Sequence, residues 1–172
     1  MLVNMELVGV RIEMPSNQPI VLLKEIDGSR FLPIWVGAVE ATAIAFAQQG
    51  LEAQRPLTHD LIAQIMEAAD LTMTSVVITE LRKGIFFSEL QLRDGAANLL
   101  KISARPSDAI AIALRAKANI LADSDLLDQV GIDIPENLIS EDGQARDRGA
   151  ADGELERFRE FLDQINPDDF AG

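Results

Sequence analysis

The chain has 172 residues, 48% apolar and 25% charged, with 28 acids against 15 bases for a net charge of −13. Those proportions belong to a globular chain with enough apolar side chains for a real core, and they exclude disorder throughout, collagen-like repeats and a run long enough to span a membrane. No Cys and a single His, His59, exclude disulfides, zinc-thiolate sites, a Cys nucleophile and chemistry that needs two imidazoles.

The first residues, MLVNMELVGVRIEM, mix acid and base without a basic start followed by an apolar stretch, so no signal peptide is expected and a cytoplasmic location is. Residues 3–14 and 18–26 are rich in Val, Leu and Ile and are separated by Pro15-Ser16-Asn17, which predicts two strands joined by a turn. Asp27-Gly28 predicts a tight hairpin into a third strand, Arg30–Val36, and Pro33 marks an edge position or a bulge. A helix follows over Ala38–Gln49 and closes at Gly50. Thr58 is the expected N-cap of a second helix reaching Ala69, with Leu61, Ile62, Ile65, Met66 and Ala69 on one face. Thr74–Leu81 and Ile85–Arg93 form a predicted hairpin, and Asp94-Gly95 turns into a strand at Asn98–Ile102. Then come a helix over Ser107–Lys117, a short strand Asn119–Ala122 and a small helix Ser124–Val130. Strands in hairpin order with helices inserted predict an α+β domain over residues 1–135, a compact mixed or antiparallel sheet with three main helices.

Beyond Pro135 the composition shifts. Residues 136–172 are expected to be an acidic linker and a short helix, Glu154–Ile165, whose Leu155, Phe158, Leu162 and Ile165 share a face suited to docking on its own domain, a second copy or a protein partner. Residues 140–172 hold 10 acids and 4 bases, against 18 and 11 in residues 1–139. A field of that sign disfavours binding nucleic acid through a basic stripe, and leaves room for a small site in which a few arginines or a metal ion hold phosphate.

Three acids break the apolar patterning. At 100° per residue, Glu40 falls beside Ala43, Ile44 and Ala47 on the first helix, so its carboxylate is expected to be at least partly buried. It then needs a capping role, an arginine, a metal ion or a proton. His59 sits at the margin of the apolar face of the second helix and Asp60 points away from it, so the two are not a ready-made acid–base pair. A solvated first-turn acid accounts for Asp60 and a packed or capping histidine for His59. On the third helix Asp108 and Arg115 lie two turns apart at nearly one angle. Arg105, before Pro106, projects from the loop, and Ser107 is a candidate N-cap. That helix start suits either simple capping or an anion.

Glu40, Asp60 and Asp108 each occupy the first turn of a different predicted helix. If those starts converge, three carboxylates make a hard-oxygen site for Mg²⁺ or Mn²⁺, with Arg55, Arg105, Ser107 and Arg115 placed for phosphate and His59 as general acid or base. If they do not, the acids are unrelated and stand where helices favour acids.

Three blocks, FLPIWVGAVEATAIA (31–45), RPLTHDL (55–61) and SARPSDAIAIALRAKANILA (103–122), together resemble the bifunctional nuclease family over residues 3–135. The family's strongest motif positions map onto Glu40, Arg55, Pro56, His59, Asp60, Arg105, Pro106, Ser107, Asp108 and Arg115. The resemblance implies a compact α+β domain, a homo-oligomer, and cleavage of both DNA and RNA. The resulting expectation is a metal-dependent phosphodiesterase using Glu40, His59, Asp60 and Asp108. Its rival is a non-enzymatic module that holds a small anion or a protein.

Overall fold

The computed structural model describes residues 1–134. In chain order these form β1 (Leu2–Glu13), β2 (Gln18–Glu25), β3 (Arg30–Trp35), α1 (Ala38–Gln48), α2 (Thr58–Ala68), β4 (Thr72–Arg82), β5 (Ile85–Arg93), β6 (Leu99–Ala104), α3 (Pro106–Ala116), β7 (Asn119–Asp123), α4 (Ser124–Val130) and β8 (Ile132–Asp133). The acidic linker and docking helix expected over 136–172 lie outside the described residues.

The architecture is α+β. One mixed sheet of eight strands runs in the order β6-β5-β4-β7-β1-β2-β3-β8. It consists of two antiparallel meanders, β1-β2-β3 and β4-β5-β6, joined through β7, which pairs antiparallel with β1 and parallel with β4. The parallel pair needs a long crossover, and β5, β6 and α3 supply it. Pro33 pairs in register with Leu22, while β8 reaches only Arg30 and Phe31, so at Pro33 the strand has a partner on one side alone. That is where a residue without an N–H fits.

Alternation on the strands builds the core. Val21 and Leu23 stand across from Ile34 and Leu32, and Val76 sits between Leu90 and Ile120. All are buried in one cluster with Ile44 of α1, Met66 of α2 and Ala109–Ala113 of α3. Helix α3 is the hub, packing against α1, α2, β4, β5 and β7. Its alanines explain this position, because small side chains let neighbouring helices and strands approach closely.

Two local devices fix α1. The register of β1 shifts between Leu7 and Gly9, where Gly9 has φ +152°, a conformation side-chain-bearing residues rarely adopt. The carbonyl of Val8 at this bulge accepts from Gln48 Nε2 at 3.2 Å, which ties the end of α1 to the sheet. At the other end Gly37 is the N-cap, and a Cβ there would lie 2.3 Å from Glu40 Oε2. Glycine therefore leaves the space that the Glu40 carboxylate occupies.

Candidate functional site

The starts of α1 and α2 come together against α3, and two arginines make the connections. On one side Arg105, the N-cap residue of α3, donates from Nε to Asp108 Oδ2 at 2.8 Å and from Nη2 to Asp108 Oδ1 at 3.1 Å. The same Nη2 lies 3.2 Å from Glu40 Oε1, so the guanidinium joins the first turns of α1 and α3. His59 of α2 completes the group: its Nε2 is 3.1 Å from Asp108 Oδ1. Burial grades across the group. His59 is buried, Glu40 and Asp108 are half-buried, and Arg105 has 66% of its side chain exposed.

On the other side Arg115, in the last turn of α3, has only 11% of its side chain exposed. Its Nε bonds Asp60 Oδ1, and its Nη1 donates to Ala43 O of α1 at 3.1 Å and to Ala111 O at 2.8 Å. The second oxygen of Asp60 accepts from Leu57 N at 2.8 Å, the N-cap of its own helix. One guanidinium thus fastens three helices.

The electrostatics follow the partners. The Arg115 hydrogen bond, against the upward push of burial, holds the Asp60 carboxyl below the ordinary carboxylate range. Burial alone would raise the Asp108 carboxyl, but the hydrogen bonds from Arg105 and His59 outweigh it and the net direction is down. Asp108 in turn raises Arg105. Both aspartates are carboxylates at neutral pH.

Several expectations change. Thr58 is the first helical residue of α2 and Leu57 is the N-cap; Arg105, not Ser107, caps α3, and Ser107 is buried in its second position. Asp60 is not a freely solvated acid, and Asp108 and Arg115 do not pair with each other along α3; each takes a partner elsewhere. Arg115, expected at a phosphate, directs its Nε to Asp60 and its Nη1 to two carbonyls. The Arg55 side chain, on the exposed connection between α1 and α2, joins neither group among the described residues. The three carboxylates expected to hold Mg²⁺ or Mn²⁺ are divided between two arginines, Glu40 and Asp108 with Arg105 and Asp60 with Arg115. Among the described residues no three His, Asp or Glu side chains are grouped to hold a metal ion, because each of the three carboxylates faces a guanidinium and Asp60 belongs to the other group.

Two expectations hold. Glu40 is half-buried and takes an arginine as its partner. His59 and Asp60 act separately, as neighbours on a helix must. The sequence reading missed the crosswise pairing. Its one visible signal was a polar stripe on α3 with an arginine at each end.

Chemically, the first group is an imidazole oriented by a carboxylate beside an exposed guanidinium, an arrangement suited to moving a proton next to a bound anion. The chain belongs to the bifunctional nuclease domain family, whose model matches residues 21–135. It is also similar to an uncharacterized protein of Mycobacterium tuberculosis, found in two strains, at 43% identity over 167 residues, which cover 97% of this chain and 97% of the relative. Among the described residues no helix is long and apolar enough to cross a membrane.

Proposed function

We propose that this protein is a nuclease, cleaving phosphodiester bonds of nucleic acid at the His59–Asp108–Arg105 junction. The observation that carries the reading is the shared Asp108 carboxylate. One oxygen orients the only imidazole in the chain, and both bind the exposed cation of Arg105. Family membership supplies the reaction class. In this reading His59 moves the proton, Asp108 positions it, and Arg105 takes a phosphate oxygen while Glu40 holds the guanidinium in place. Contacts of this kind address the backbone and not the bases, so little sequence preference is expected. Mg²⁺ or Mn²⁺ at the same junction would have to displace Arg105 from Glu40 and Asp108.

The test is cleavage of labelled RNA and DNA by wild type, Glu40→Gln and Asp108→Asn proteins that melt as folded domains, each with EDTA and with Mn²⁺. Lower activity in Asp108→Asn supports the reading. Equal activity in all three identifies a contaminating enzyme and removes it.

One observation favours a second reading. All three carboxylates are already neutralised, as in a module that holds a small anion without turnover. Calorimetry with inorganic phosphate separates the two: tight binding without any cleavage supports the module.

A further inference from the structure

We propose that a groove between the end of α2 and the start of β4 receives the chain's own Arg157-Phe158-Arg159, so that the C-terminal segment docks on its own domain. The inference goes beyond the nuclease reading and does not depend on it.

Helix α2 stops at Ala68, and the chain turns through Asp70, at φ +55°, into β4. The turn leaves a groove of about 370 Å³ that also borders the last turn of α3. Its floor is apolar, since Met66 and Met73 are buried there and Leu71 is half-buried. Its rim is acidic. Glu67 and Asp70 are exposed, and neither has an ion-pair partner among the described residues. The Arg115 guanidinium borders the groove too, with its charge already answered by Asp60. Two thioethers in an apolar floor suit an aromatic ring, and free carboxylates on the rim suit cations beside that ring.

The sequence after residue 134 contains that combination once. Of its phenylalanines, 158, 161 and 170, only Phe158 stands between two arginines. Residues 140–172 hold 10 acids and 4 bases, and Arg157 and Arg159 are half of those bases. The rest of the segment would be repelled by an acidic rim, whereas this tripeptide is drawn to it. At 100° per residue the two arginines fall one on each side of Phe158, and Leu155 and Leu162 lie on the same face as the ring. The sequence pattern thus offers an apolar ridge with a guanidinium on either flank, the charge complement of the groove.

The chain is long enough to bring the two together. The described residues end just after β8, five strands from β4 in the sheet, a separation of about 24 Å. Residues 135–156 reach about 70 Å when extended, so the segment spans the distance with slack. A tether of that kind gives an effective concentration on the order of 1 mM, which favours the segment's own domain over a second copy.

The experiment is limited trypsin digestion of the native full chain, with the cuts after Arg146, Arg148, Arg157 and Arg159 timed by mass spectrometry. Docking shields the last two. The expected result is cutting after Arg157 and Arg159 slower by about 10-fold in the wild type than in the Glu67→Gln/Asp70→Asn double variant, with the cuts after Arg146 and Arg148 alike in both. Asn tolerates the positive φ at position 70, so the turn is kept. Phe158→Ala, which alters nothing within residues 1–134, should release the same two cuts and keeps the test decisive if the double variant unfolds. Equal rates in the wild type and either folded variant overturn the proposal. Shielding that strengthens with protein concentration also overturns it, because the occupant is then a second copy.

Discussion

Arg115 and Arg105 flank the same helix, and each holds a carboxylate delivered by another one, yet the molecule uses them in opposite ways. Arg115 is enclosed, satisfied by Asp60 and two main-chain carbonyls. Arg105 reaches from the surface and shares its guanidinium between Glu40 and Asp108 through Nε and Nη2, leaving Nη1 out of these bonds. What separates them is solvent. A charge taken out of water must be fully paired, and once paired it becomes a fastener. A charge left at the surface contributes little to stability and stays available to a ligand.

The largest effect is expected where the enclosed group is broken. Arg115→Met takes the guanidinium from Asp60 Oδ1 and from the Ala43 carbonyl, and should lower unfolding stability by about 3 kcal/mol, read from the urea midpoint. If the loss is under about 1 kcal/mol, the two arginines do not differ as argued.

A second measurement sharpens the first. Asp60 is held below its ordinary value, so its pairing stabilises the fold fully above the unfolded value of about 3.9 and is lost as pH falls through the lowered one. The stability gap between wild type and Arg115→Met should therefore be full above about pH 4 and narrow below it. Urea midpoints at a series of pH values read this, and a gap independent of pH would show that Arg115 acts through packing and its two carbonyls.

Arg105→Gln should behave in reverse: less than about 1 kcal/mol of stability, because the side chain is 66% exposed, with a marked fall in nucleic-acid cleavage. Smallest of all is Gly37→Ala. The added Cβ would meet Glu40 Oε2 at 2.3 Å, but that atom ends a flexible side chain and can swing aside. Stability should stay within about 0.5 kcal/mol, while Glu40 loses its hold on Arg105. A large destabilisation in the urea midpoint would mean that Glu40 supports the fold and not only the guanidinium.

The fold was legible because its elements are short and cleanly punctuated. Pro15-Ser16-Asn17, Asp27-Gly28 and Arg82-Lys83-Gly84 each separate runs whose alternation identifies strands, and the Ser124–Val130 helix matches residue for residue. The two-residue strand β8 was not, since Ile132-Asp133 carries no periodicity of its own and exists only because Arg30 and Phe31 lie beside it. The site was half legible. Angular position on a helix marked Glu40 as half-buried and separated His59 from Asp60. It could not reveal that Arg105 would turn to both Glu40 and Asp108, or that Arg115 would cross to Asp60, because those pairings depend on how three helices pack. Whether the three acids would converge was left open by the sequence for the same reason, and their pairing with arginines could not be read from it.

Helix α3 carries Asp108 near its start and Arg115 near its end, seven positions apart on one rod. At 3.6 residues per turn that interval brings both side chains round to almost the same bearing, one at each end of the line along which α2 crosses. The helix is thus a ruler as well as a core element. Deleting a single residue between the two would swing Arg115 by about 100° and draw it closer by about 1.5 Å, unlatching Asp60 while leaving the His59 dyad within its own turn. The length of this short rod couples how firmly the protein holds its shape to where it keeps its only imidazole.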